Sequence, residues 1–389
     1  MNKAVLQAAI SPAAPIPQVD FYIPATGPAA RPRRTLKHDD TFAVVDSHGD
    51  IGASAGGPDG IFHADTRFLS CFEFLLNGMQ LLLLGSNVRD DNSVLTVDLT
   101  NPDIYFDKRL VLPKDTLHIV RTFFIWRATV YQRFGIRNHG ETQVSLRLSM
   151  AFANDFADIF EVRGIRRARR GTAAAQVTEN HDVILDYEGL DGHARRTVLT
   201  FDPAPTDLVS GVASYALKLD PGERSSLFVI VRCDSDRAPP PAPFFKGMIG
   251  AAREMRATAK GATSIETSSE LFNQVLCHSM ADLRMLMTKI AQGPYPYAGI
   301  PWYSTTFGRD GIITALQMLW CDPGMARGVL RRLAAYQAKS GDPPADAEPG
   351  KILHEMRSGE MAALHEVPFG LYYGSVDSTP LFVLLAGAY

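Results

Sequence analysis

Trp302 and Tyr303 stand shortly ahead of Arg309-Asp310 in the segment PYPYAGIPWYSTTFGRDG, residues 294–311. A sugar presents apolar CH faces and hydroxyl edges. A site for one therefore needs an aromatic platform beside a fixed charged pair that donates and accepts together. Arg309 offers a planar donor fork and Asp310 two acceptor oxygens. A plainer reading makes Asp310 the cap of a helix beginning at Gly311 and Trp302 a core residue, and spacing alone favours it. In PFGLYYGSVDSTPLF (368–382) Asp377 follows Tyr372-Tyr373 and precedes an apolar run. A carboxyl group against aromatic and aliphatic walls has a raised pKa, the property of a general acid. The alternative here is again a cap, from Asp377 or Ser378, with Pro380 in the first turn. DAEPGKILHEMRSGE (346–360) interleaves Glu355, Arg357 and Glu360 with glycine and proline. It reads as a long ordered loop, functional or simply salt-bridged.

Other clusters carry less. Asp155, Asp158 and Glu161 in NDFADIFEVRG lack the glycine offset of a calcium loop. Pairing of Asp65 with Arg67, or of Glu161 with Arg163, is the expectation there. Five arginines between 163 and 170 have no interleaved aromatics, so a solvated or intrachain-paired edge is expected rather than a nucleic-acid surface. Cys71, Cys233, Cys277 and Cys321 show no C-x-x-C spacing, and no metal or cofactor is expected.

These residues need elements to hold them. From about 37 to 235 the pattern is β: Val144, Leu146, Leu148 and Met150 alternate with polar partners, as do Tyr215, Leu217 and Leu219, then Leu227, Val229 and Val231. Asn77-Gly78, Asn138-His139-Gly140 and Asp220-Pro221-Gly222 mark turns. The expected fold class is a multidomain β + α protein: residues 1–36 a disordered tail, 37–235 an antiparallel β-sandwich, 236–266 a proline-stiffened linker with a linker helix over 246–260, and 267–389 helical. In the last part Thr267 and Glu270 have capping-box spacing. Phe272, Leu276, Leu283, Met287 and Ile290 then form one buried stripe. Further helices are expected from Asp310, after Asp322-Pro323, and from Ser378-Thr379-Pro380. The closing LFVLLAGAY calls for burial on all sides, so the chain reads as the first part of a longer protein.

Composition excludes several classes. The 389 residues are 46% hydrophobic and 21% charged, with 39 basic and 42 acidic side chains, net −3. That is an ordinary globular balance without a global positive field for nucleic acid or anionic lipid. No apolar run nears the roughly 20 residues of a spanning helix. A cytoplasmic location is expected.

Taken together, DGIFHADTRFLSCFEFLLNG and DFADIFEVRG resemble the N-terminal β domain of bacterial glycogen debranching enzymes of the amylo-α-1,6-glucosidase type. PWYSTTFGRDG, DAEPGKILHEMRSGE and GSVDSTPLF are similar to the start of their catalytic domain, an (α/α)6 six-hairpin barrel. The resemblance implies an inverting glycoside hydrolase acting on branch linkages of glycogen or related α-glucans. It implies that Arg309 and Asp310 grip a terminal glucose in one pocket at the barrel mouth with Trp302 and Tyr303. Asp377 is implied as general acid, and Glu355 and Arg357 as part of a substrate-side loop. It further implies a base from the second half of the barrel, beyond Tyr389, so that activity would need that half, even as a separately encoded partner. Other exo-acting barrel glycosidases, acting on trehalose or another oligosaccharide, and a non-catalytic glucan-binding protein share these features.

Overall fold

The computed structural model describes residues 32–52, 57–233, 241–259, 263 and 265–389. The expected tail up to residue 31 and the proline run 236–240 lie outside the described residues. The first strand, Arg34–His38, already opens within the stretch read as tail.

Two antiparallel sheets make the β part. One has eight strands in the order Thr172–Val177, Val183–Glu188, Ala194–Asp202, Arg224–Cys233, Thr129–Asn138, Leu117–Trp126, Leu95–Thr100 and Leu82–Val88. The other has five, in the order Asp207–Val209, Val212–Leu219, Val144–Ala153, Cys71–Leu76 and Met79–Gln80. Strand side chains alternate between faces. Every second residue of Val144–Met150 and of Leu227–Val231 is accordingly buried, and the inner faces of both sheets merge into one core. Asn77 (φ 49°) and Gly78 (φ 77°) both take the left-handed backbone that a two-residue hairpin turn requires. The expected sandwich is present. Its centre also holds a charge. Arg121 donates to Asp50 Oδ1 (2.6 Å), to Gln132 Oε1 through Nε (3.0 Å) and Nη2 (2.7 Å), and to the His48 carbonyl (3.1 Å).

A smaller four-stranded meander runs through Arg34–His38, Thr41–Val45, Gly60–His63 and Thr66–Leu69. Its aromatics Phe42 and Phe62 share one buried cluster with Phe160 of the β part and with Met361 and Val367 of the helical part.

The described helices are α1 (Ile159–Val162), α2 (Phe244–Ala259), α3 (Glu270–Leu286), α4 (Gly308–Met318), α5 (Pro323–Ala335), α6 (Glu360–Ala363) and α7 (Ser378–Ala388). Two expectations need correction. The cap of α3 is Ser269, whose hydroxyl accepts from the Phe272 amide (3.4 Å), while Thr267 bonds Asn273 Oδ1 (2.8 Å). The stripe on α3 is not buried: Phe272 is 51% exposed, and Met287–Ile290 leaves the helix to pair with Gly293–Pro296 as a strand. Periodicity marks an apolar face but not what covers it. In α7 only one side packs, on α4 and α5, with Leu385 buried while Val383 and Leu384 are 66% and 57% exposed. α5 starts at Pro323 and α7 at Ser378, as expected from proline in the first turn, although neither Asp322 nor Asp377 makes a side-chain cap bond. No helix among the described residues is long and apolar enough to cross a membrane.

Candidate functional site

Three two-residue strands, Thr306–Phe307, Glu355–Met356 and Leu371–Tyr372, form a small sheet with Glu355–Met356 in the middle. Each runs into a segment of interest. Phe307 leads straight into α4, whose first amide, Gly308, donates to the His354 carbonyl (2.9 Å). Tyr295 Oη donates to the Phe307 carbonyl (2.7 Å). The glycines of FGRDG are explained by this crowding. A Cβ on Gly308 would overlap the Leu353 carbonyl oxygen, and one on Gly311 would sit 2.5 Å from Tyr295 Oη. Gly308→Ala is therefore expected to cost about 1–3 kcal/mol, because backbone on both sides must yield. Chemical denaturation checks this; an unchanged midpoint would mean the helix start is not fixed there.

A cleft of about 880 Å³ opens where the N-termini of α4 and α7 converge, lined by Arg309, Asp346, Lys351, His354, Gly374, Ser375, Val376, Asp377 and Thr379. Arg309 Nη1 lies 3.5 Å from Asp377 Oδ2, and its Nε lies 4.0 Å from Asp310 Oδ2. Asp310 sits inside the first turn of α4, and the cap position, Phe307, makes no side-chain cap bond. The reading of Asp310 as a cap before Gly311 is therefore corrected: the helix begins earlier. Asp377 occupies the cap position of α7, also without a side-chain cap bond. Its carboxylate accepts from Ser375 Oγ instead.

The expected electrostatics of Asp377 are reversed. The Ser375 hydroxyl, and then the Arg309 guanidinium, hold its carboxyl below the usual carboxylate range despite partial burial. The aromatic wall inferred from Tyr372-Tyr373 is not what Asp377 meets, since its side chain remains 38% exposed and faces a cation. In the free protein it is an ionised acceptor.

The other expected site residues are distributed differently. Trp302 does not line this cleft: its ring lies under the Arg163 guanidinium (5.7 Å) and packs beside the cluster around Phe42, Phe62 and Phe160. Tyr303 is 48% exposed and stands edge-on to Phe307 (5.7 Å). Glu355 and Arg357 are buried and absent from the cleft lining. Arg357 Nε donates to Glu355 Oε1 (2.7 Å), Nη1 to Asp65 Oδ1 (2.8 Å) and Nη2 to the Trp302 carbonyl (2.7 Å). So Arg309, Asp310 and Asp377 come together, while Trp302, Glu355 and Arg357 serve the packing behind them.

The β-domain ion pairs are corrected in the same way. Asp65 pairs with Arg357 rather than Arg67, and Arg67 pairs with Asp155. Glu161 faces Arg170 (3.3 Å) and Arg167 (3.7 Å) rather than Arg163, and closes a capping box with Asp158 on α1. Arg167 also meets Glu360 (3.0 Å) and Glu366 (2.6 Å). Within the basic run Arg167 and Arg170 are thus paired within the chain, while Arg166 and Arg169 are exposed. Sequence proximity misled because Asp65 lies in the left-handed turn (φ 66°) ahead of the strand that carries Arg67, and Glu161 and Arg163 stand two positions apart at a helix end, where such residues do not face each other.

Sequence reasoning missed Asp346, Lys351 and His354. All lie in the loop singled out for Glu355 and Arg357, and for Lys351 and His354 the signal was the apolar pair Ile352-Leu353 between them, which is buried here. His354 is notable. Its ring stands edge-on to Phe307 (6.0 Å) and Tyr372 (6.1 Å), and its Nδ1 is buried without a hydrogen-bond partner.

Comparison with known proteins follows this geometry. None of the curated proteins matches the chain. Among solved structures, a protein assigned as a kojibiose phosphorylase from the human microbiome aligns with TM-score 0.53 and 8% identity, over 76% of this chain and 45% of that one. A bacterial glucoamylase complexed with acarbose aligns with TM-score 0.44 and 10% identity, over 78% and 54%. The first of these likenesses concerns the fold, and the chain spans less than half of that structure's length. Residues 36–229 match the model for the N-terminal domain of (some) glycogen debranching enzymes, which covers the sandwich and the meander almost entirely. Over residues 36–229 this chain belongs to the family of glycogen debranching enzyme N-terminal domains.

Proposed function

We propose that the cleft at the starts of α4 and α7 binds a glucose unit of an α-glucan or oligosaccharide, in a glycosidase of the amylo-α-1,6-glucosidase type. One observation carries the reading: a guanidinium and an ionised carboxylate, Arg309 and Asp377, face each other at 3.5 Å across a polar cleft. A pyranose hydroxyl both donates and accepts, so one such pair can engage neighbouring hydroxyls simultaneously. The helix N-termini add positive potential that keeps the carboxylate charged. The family of the β domain supports the substrate class.

Hydrolysis with inversion would need a proton donor and a water-activating carboxylate roughly 6.5–9.5 Å apart. Asp377 is the donor that the sequence resemblance implies. Its lowered pKa favours a different role, as the acceptor half of the sugar grip. A carboxyl that is already ionised has no proton to give while the Ser375 hydroxyl and Arg309 both favour its charged form.

Calorimetric titration with maltotetraose and with panose, a trisaccharide that carries an α-1,6 linkage, tests the reading. Both should bind, panose more tightly, and Arg309→Met should weaken both by roughly tenfold or more, as loss of a charge-assisted hydrogen bond implies. An absence of binding at millimolar sugar, or an Arg309→Met variant that binds like wild type, would remove the proposal.

A further inference from the structure

We propose that Asp65, in the β domain, is a positioning residue for the cleft, fixing through Arg357 the small sheet from which Arg309, His354 and Asp377 project. The inference deepens the sugar-site reading and rests on it for its consequence, though not for its geometry. Ala64 (φ 45°) and Asp65 (φ 66°) form a tight turn between Gly60–His63 and Thr66–Leu69. The turn presents the Asp65 carboxylate at the tip of a hairpin. One oxygen accepts from Arg357 Nη1 (2.8 Å) and the other from the Ser358 amide (3.0 Å).

Arg357 then distributes that anchor. It is 1% exposed in its side chain, and its remaining donors reach Glu355 and the Trp302 carbonyl. Its guanidinium lies 5.5 Å from the ring centres of both Phe160 and Phe307. A single planar group therefore touches the β domain, the approach to α4 and the middle strand of the small sheet. The fit leaves no slack: a Cβ on Gly359 would overlap Asp158 Oδ2 and lie 3.3 Å from the Asp65 Cβ. Arg309 follows Phe307 by two positions, His354 adjoins Glu355, and Ser375 and Asp377 follow Tyr372 closely. A shift of the middle strand would move all of them relative to one another, and a misplacement near 1 Å is worth up to about 100-fold.

The test uses the full chain carrying Asp65→Asn, which keeps size but removes the charge. Hydrogen exchange should rise severalfold in 306–310, 352–357 and 371–379, with the core strands 117–138 unchanged. The carbon-13 titration of the Asp377 carboxyl should move upward as Arg309 drifts from it, and maltotetraose affinity should fall by roughly 10–100-fold. A merely structural loss would lower global stability without moving the Asp377 titration. Arg357→Lys, which keeps the charge but cannot span three acceptors, should reproduce all three effects and stands in if Asp65→Asn does not fold. Wild-type exchange, titration and affinity in either folded variant, or loss of the fold in both, would overturn the proposal. If wild type fails to bind maltotetraose while exchange and titration still respond, the sugar reading falls and the positioning role stands.

Discussion

Replacing Asp377 by asparagine is expected to weaken maltotetraose binding by roughly 10–150-fold, the range spanned by a hydrogen bond to a charged group. The amide retains the shape of the carboxylate, but it loses the charge that faces Arg309 and offers sugar hydroxyls one acceptor where there were two. Calorimetry reads the change directly. Acidification should mimic it. Because the folded-state pKa is depressed, the pairing contributes fully above the ordinary carboxylate range and is lost only as pH falls through the lowered value. Affinity should therefore stay flat from pH 8 to about 5 and decline only below the usual range. The opposite pattern, intact binding with hydrolysis of a branched dextrin reduced by roughly 10²–10⁴, would identify Asp377 as the general acid.

Arg121→Met should destabilise the β domain by about 3–5 kcal/mol, measured by urea denaturation. Arg121 and Asp50 are both buried, and the guanidinium also lies over the Phe72 and Phe134 rings at 5.3 and 5.0 Å. Methionine fills much of the volume, but Asp50 loses its counter-charge and Gln132 Oε1 its donor while both stay buried. The pH dependence carries a definite sign. Burial already pushes Asp50 up to about 6 against the pull of Arg121, so the folded protein binds a proton more readily than the unfolded chain between the ordinary carboxylate value and 6. Stability from this group rises as pH falls through that window. Without Arg121 the carboxyl should climb further and fold as the neutral acid, so the penalty should be smaller at pH 5 than at pH 8. An equal penalty at both would show that packing, not charge, is what Arg121 provides.

Much of this architecture is legible in the residue order. Period-two alternation over Val144–Met150 and Leu227–Val231 fixes strands with one buried face, because a pleated backbone leaves no other way to segregate those side chains. Asn77-Gly78 specifies its turn through left-handed backbone, and Pro323 and Pro380 mark helix starts by what proline cannot do. The joint order of several motifs points to the debranching family, and the β domain bears this out. Both members of the Arg309–Asp377 pair lie in segments that the sequence marks out, although the residue types there paired Arg309 with Asp310, and 68 positions of chain separate it from Asp377 (377 minus 309).

The assignment of charges is a different matter. Nothing local distinguishes Arg357, which is sealed between two rings and two carboxylates, from Lys351, which lines the cleft. Both are cations in one loop. Only the approach of the Asp65 hairpin turns the first into an interior anchor, and only the convergence of α4 and α7 gives the second a cleft to face. Trp302 illustrates the same point, because an aromatic beside a charged pair can serve a sugar or a core, and here its ring meets Arg163. The sequence by itself determined most of the strands, helices and turns, Met287–Ile290 and the strand Arg34–His38 excepted, since those depend on local backbone preference and on the period of apolar residues. The tertiary structure decided most charge partners, because a charge acquires its role from groups brought within a few ångströms by distant parts of the chain: burial in the packed sandwich pushes Asp50 up, and Asp377 is held down first by its near neighbour Ser375 and then by the distant Arg309.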